Sequence, residues 1–203
     1  MNKTLPPGAL HGVDDSDKTR PPSGALRFET PQDLYAALPQ LAELTQHRPR
    51  DGEDAMVFMG RLRSSTTPEE AVTYTAFAAL PQMAIWWGHE CLRCMPDVLD
   101  ARDREILEMV GGWVSTPTKD LRHRVMKEAL WAQTRSPAVM LGLAVGWSGG
   151  SIAPNDPAPV PAYRAPRSIN SAVLSCLARA DLSRRPIYLA RFIDMAESLY
   201  RVY

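Results

Sequence analysis

Ser136-Pro137-Ala138-Val139-Met140-Leu141-Gly142-Leu143-Ala144-Val145-Gly146-Trp147 is the stretch that decides the fold. A serine that can cap a helix precedes a proline, whose missing amide is not needed at the first helical position. The apolar run behind them, Ala138 to Trp147, is far short of the 18 or more residues of a membrane span. A helix that is apolar all round is buried all round, so other helices must surround it. The chain supplies them. The same polar-plus-proline start recurs at Thr30-Pro31, Thr67-Pro68 and Thr116-Pro117. Pro39 breaks or kinks the first of these helices, and Glu69-Glu70 suit the positive N-terminal end of the third.

Further starts fall between these. Asp51 is the expected cap of a helix carrying Ala55, Phe58, Met59 and Leu62 on one face. Pro81 opens one that runs to Met95-Pro96, and Asp100 caps one with the stripe Ile106, Leu107, Val110, Trp113 and Val114. The Thr116-Pro117 helix carries Leu121, Val125, Ala129 and Leu130, and two more helices cover Ser168–Ala180 and Pro186–Val202. No convincing β-alternation appears. The predicted class is all-α, a single-domain bundle or short helical array of about eight or nine helices.

Residues 1–27 hold Pro6, Pro7, Pro21 and Pro22 with only isolated leucines, a composition that predicts a disordered N-terminal tail. One all-α domain is expected over residues 28–203. Inside it, residues 148–166 form a proline-rich loop with Pro154, Pro157, Pro159, Pro161 and Pro166. Ile152, Val160 and Tyr163 predict that this loop packs as a strap, with Trp147 beneath it.

The 203 residues carry 23 basic and 23 acidic side chains. A zero net charge argues against a general nucleic-acid binder, which needs surplus Lys and Arg. There is no apolar run long enough for a secretory signal or a membrane span, so a cytoplasmic location is expected. Three cysteines, Cys91, Cys94 and Cys176, are an odd number and suit free thiols.

The densest chemistry is Trp86-Trp87-Gly88-His89-Glu90-Cys91-Leu92-Arg93-Cys94. At 100° per residue Leu80, Met83, Trp87, Cys91 and Cys94 share a core stripe. Gln82, Trp86, His89, Glu90 and Arg93 share another side, where Trp86 is expected to be covered by a neighbouring helix. Ala84 and Gly88 leave room for a close helix approach. Cys91-Leu92-Arg93-Cys94 lies at the C-terminal end of its helix, where the dipole disfavours a thiolate, so packed thiols are expected and not a redox pair. No second CxxC or HxxxH spacing completes a zinc site. There is no G-x-S-x-G elbow, P-loop or G-x-G-x-x-G. The expectation is no catalytic set, no metal and no cofactor. Lys119, Arg122, His123, Arg124 and Lys127 make a basic face, read as solvated or as a contact for an acidic partner. Arg184 and Arg185 suit capping of the preceding helix end.

Ala84-Ile85-Trp86-Trp87 with Cys91, and Trp147-Ser148-Gly149-Gly150-Ser151 with its proline-rich continuation, resemble an uncharacterised family of small bacterial all-helical proteins. The likeness spans roughly residues 28–200. It implies an accessory role beside type VI secretion components such as spike-tip and effector proteins, and it carries no mechanism.

Two functional classes follow. The first is a non-enzymatic interaction module, an adaptor or chaperone accessory to type VI secretion. Its partner would be a protein such as a secreted effector or spike-tip protein, with neither nucleic acid nor membrane. Its candidate surface comprises Trp86, His89, Glu90, Arg93, Trp147, Ser148, Gly149 and Gly150. The alternative is a small-ligand sensor or enzyme with a site around Trp86, His89, Glu90 and Arg93. Oligomeric state is left open.

Overall fold

The computed structural model describes residues 25–151 and 158–201. Among them regular structure is helical: α1 (Pro31–Ala37), α2 (Gln40–Leu44), α3 (Ala55–Arg63), α4 (Glu69–Ala78), α5 (Pro81–Arg93), α6 (Ala101–Ser115), α7 (Lys119–Leu130), α8 (Pro137–Trp147), α9 (Arg164–Ala178) and α10 (Arg185–Arg201), with a 3-10 turn at Pro96–Val98. The all-α class is correct. The described residues form ten helices where about eight or nine were expected, and Pro39, expected to break or kink the first, separates α1 from α2.

Two helices are buried on nearly every side. One is α8, where Ala138, Val139, Leu141, Gly142, Leu143, Ala144, Val145 and Gly146 are all buried. The other, not evident from the pattern, is α4, buried from Glu70 to Ala78. Its threonines are satisfied internally: Thr75 Oγ1 donates to Ala71 O at 2.8 Å and Thr73 Oγ1 to Asn170 Oδ1 at 3.1 Å. Helices α5 and α9 pack on both buried helices and join them; α6 and α7 flank α8, while α1, α2, α3 and α10 flank α4. Glycine permits the closest approaches. A Cβ at Gly142 would lie 3.0 Å from Ala129 Cβ and 3.2 Å from Ile106 Cγ2, and one at Gly88 3.0 Å from Leu141 Cδ1. The Ala84–Gly88 patch is thus where α5 meets α8 and α9.

The expected boundaries shift in four places. Ordered packing begins before Phe28: Ala25 is buried, Arg27 N–H donates to Ala78 O at 2.8 Å, and Leu80 N–H donates to Ala25 O at 2.6 Å. Residues 25–27 therefore belong to the domain; residues 1–24 of the expected tail lie outside the described residues. The cap of α3 is Asp54, whose carboxylate accepts from the amides of Met56 and Val57, because Gly52 at φ +70° ends the preceding turn. The cap of α7 is Thr118 and not Thr116, which closes α6 by donating its amide to Gly112 O. Finally α9 begins at Arg164, four residues ahead of the expected Ser168, so Pro166 sits in its first turn.

Candidate functional site

Helix α5 sorts its side chains differently from the simple wheel. Trp87, Cys91 and Leu92 are fully buried, and Trp87 Nε1 donates to Phe192 O of α10 at 3.0 Å. Leu80 and Met83, assigned to the core stripe, are only half-buried. Trp86, expected to be covered, keeps 37% of its surface exposed. It faces an open groove of about 600 Å³ between α5, the end of α6 and α10. Met83, Val114, Met195 and Leu199 line that groove with it, as do the charged Arg191 and Asp194. Arg63 holds Asp194 in an ion pair at 2.6 Å, whereas Arg191 makes none among the described residues.

His89, Glu90 and Arg93 lie on the same helix but form a separate small network. His89 Nδ1 meets Glu90 Oε1 at 3.0 Å, and Arg93 Nη1 donates to the same oxygen at 3.0 Å. The imidazole packs so closely on α6 that a Cβ at Gly111 would lie 2.9 Å from Nε2. His89 and Arg93 border a shallow recess of about 310 Å³ with Leu99, Leu107 and Glu108; Trp86 does not line it. The four residues of the alternative reading therefore divide between two surfaces.

The CxxC thiols are structural in setting. Cys91 and Cys176 are buried and Cys94 is half-buried, all three as free thiols. Burial pushes Cys91 well above the ordinary thiol value, raises Cys94 and lifts Cys176 to about 12. A redox nucleophile requires the opposite shift. Among the described residues no group of His, Cys, Asp and Glu is placed to hold a metal ion, and no helix is long and apolar enough to cross a membrane.

The remaining candidates, Trp147, Ser148, Gly149 and Gly150, lie elsewhere, at the end of α8. Two recesses of about 460 and 820 Å³ share this loop as a wall. Gly150 adopts φ +68°, a left-handed conformation suited to glycine. Trp147 is half-buried, with the Arg164 guanidinium 5.6 Å from its ring centre, and it shares the smaller recess with Val160 and Pro166. It thus borders the described part of the strap; Ile152, Pro154 and Pro157 lie outside the described residues.

The basic face of α7 divides. Arg122, expected on a solvated face, is 8% exposed and bonds carbonyls: Nη1 donates to Gly146 O at 2.7 Å, and both Nη1 and Nη2 reach Ser151 O at 3.2 Å. Its Nη2 donates to His123 Nε2 at 3.0 Å, which requires a neutral imidazole. Burial, then Arg122 and Lys119, hold His123 below its usual value, in agreement with that role. Lys119, Arg124 and Lys127 remain exposed. Arg185 does cap α9, donating to Ala178 O at 2.9 Å.

One exposed aromatic escaped notice in the sequence. Trp131, just past α7, is 81% exposed beside the exposed Leu130. Leu130, expected on the α7 stripe, is exposed at the last position of the helix, and Trp131 at the cap follows it into solvent.

Residues 58–200 match the family of unknown function DUF6931, and the chain belongs to that family. Neither a curated protein nor a solved structure matches the chain.

Proposed function

We propose that this family member is a non-enzymatic interaction module that seats an amphipathic helix of a partner protein in the groove beside Trp86. The half-exposed Trp86 in a concave apolar surface carries the reading. Large aromatics are buried on average, and those left at the mouth of a pocket are enriched among binding hot spots. The groove follows helix geometry. On α10 the positions Arg191, Asp194, Met195, Ser198 and Leu199 are spaced i, i+3, i+4, i+7 and i+8. On α5 Met83 and Trp86 stand i, i+3 apart. A helix laid between them would present its own apolar stripe, as in helix-in-groove recognition. Met83 and Met195 give the surface adaptable thioether contacts. Arg191, without an ion pair among the described residues, favours an acidic residue beside the partner's stripe.

In the resemblance to proteins of type VI secretion neighbourhoods the partner would be a secreted effector or spike-tip protein, and the role that of an adaptor or chaperone. Trp131 is the competing anchor, but it lines none of the recesses described above. The test is capture of partners from the native host by wild-type protein, Trp86→Glu and Trp131→Glu, followed by amide hydrogen exchange on the isolated complex. The expected result is loss of the partner with Trp86→Glu alone, and protection confined to α5 and α10 around Met83 and Met195. Protection at the His89 recess or the Trp147 loop would overturn the reading. So would a dimer in sedimentation that Trp86→Glu dissolves, because the groove would then be covered by a second copy.

A further inference from the structure

We infer that the cleft between the start of α7 and the Ser148–Ser151 loop binds a small soluble molecule through a phosphate or diphosphate group. The W-S-G-G-S segment and the basic face of α7, which the groove on α5 and α10 does not use, converge there. Lys119 and Arg122 lie one turn apart on α7 and both line the 820 Å³ cleft, whose opposite wall is Gly149 and Gly150. Positions three apart on a helix place their Cβ atoms about 5–6 Å from one another, the span of a phosphate or diphosphate. Arg122 Nη2 approaches the Gly150 Cβ position to 3.4 Å, so the guanidinium and the glycine loop meet directly.

Arg122 is a buried cation bonded to carbonyls and an imidazole, with no carboxylate in an ion pair with it among the described residues. Carbonyl dipoles orient a guanidinium but do not cancel its charge, and a buried charge normally has a counter-charge. Among the described residues, none of those lining this cleft or the adjoining 460 Å³ recess is an Asp or a Glu. The recess adds Arg27, which also makes no ion pair among the described residues. In a chain of zero net charge the described lining is thus a local concentration of cations.

Neutral donors complete the set. The amides of Gly149 and Gly150 donate to no acceptor among the described residues. Thr118 ends the cleft at the positive end of α7, a twelve-residue helix. The Lys119 ammonium and the consecutive glycine amides are the donors offered to phosphate oxygens, and the Arg122 guanidinium, whose Nη hydrogens are taken by carbonyls and His123, adds its positive charge behind them. The volume lies within the range of small-molecule sites, and Trp113 closes one side.

The experiment is calorimetric titration of the full chain with inorganic pyrophosphate, against Lys119→Glu and Lys127→Glu. Both lysines are exposed on α7, so both variants change the charge equally and leave the core untouched, which circular dichroism verifies. The expected result is saturable one-to-one binding that Lys119→Glu weakens by about tenfold or more, the worth of one charge-assisted hydrogen bond. Lys127→Glu should change it by less than about twofold, as befits a charge two turns away in screened solvent. No saturable binding of pyrophosphate, equal losses in the two variants, or binding only to anionic lipid vesicles would overturn the inference.

Discussion

At the scale of single residues, two adjacent tryptophans on α5 have opposite roles. Trp87 is fully buried, and its indole N–H reaches across to Phe192 O, fastening α10 to α5. Trp86, 100° round the helix, keeps more than a third of its surface in solvent. Trp87→Phe removes the donor and part of a ring from a packed site, and we expect a loss of about 2–4 kcal/mol in urea unfolding. Trp86→Phe should stay within about 0.5 kcal/mol, as surface substitutions do. Equal losses in the two variants would mean that the groove beside Trp86 closes in solution. The sequence could place the two side chains on different faces of one helix. It could not say which face lacked a cover, because that depends on where α10 crosses, more than a hundred residues later.

Among the elements, the starts of α1 and α8 were legible residue by residue. Thr30 and Ser136 accept from the amides of Asp33 and Val139, as a polar residue before proline suggests. The signal misled where two helices share a short connection. Thr116 is occupied in ending α6, so Thr118 has to start α7, and no local rule distinguishes those duties. Periodicity pointed to α4 but hid its all-round burial, because its alanines and threonines carry little apolar signal although almost every residue is buried. Small residues carry little amphipathic signal but allow close neighbours.

The joint of α4 and α5 shows why composition alone set the start of the domain too late. Ala25, Leu26 and Arg27 offer a single large apolar side chain, yet they form an isolated bridge and two backbone hydrogen bonds with Ala78–Leu80. Truncation up to residue 24 leaves all of these contacts in place. Truncation through Arg27 removes them, along with the burial of Ala25, and should cost about 1–3 kcal/mol more. Chemical unfolding of the two truncated proteins, measured side by side, checks this; coincident curves would return residues 25–27 to the tail.

For the molecule as a whole, the least self-sufficient part is the arm before α3, comprising α1, α2 and residues 45–54. An aromatic chain ties it down, with Tyr35 edge-on to Phe58 at 6.0 Å and Phe58 edge-on to Tyr74 at 5.0 Å. Two carboxylates complete the attachment. Glu70 Oε2 accepts from the amides of Gln46 and His47 at 3.1 and 3.0 Å, and Glu53 accepts two bonds at 2.8 Å from Arg61. The Arg61 hydrogen bond, outweighing burial, holds Glu53 below the ordinary value of 4.5. Burial would raise Glu70, but the His47 and Gln46 amides, the Thr67 hydroxyl and the His47 ring together hold it below 4.5 as well.

A carboxylate with a lower value in the folded state binds its proton more readily in the unfolded chain. Its contribution is complete above about pH 5 and disappears as the pH falls through the folded value. Acid should therefore loosen the arm before it unfolds the α4–α8 core. Hydrogen exchange, corrected for intrinsic rates, should rise first in residues 40–54 between about pH 5 and 3, while α8 stays protected. Glu70→Gln should be less stable at neutral pH, because a neutral amide satisfies the two backbone donors less well, and its stability should change less steeply with acid. An unchanged pH slope in that variant, or simultaneous exchange of α2 and α8, would show that the arm and the core unfold as one unit.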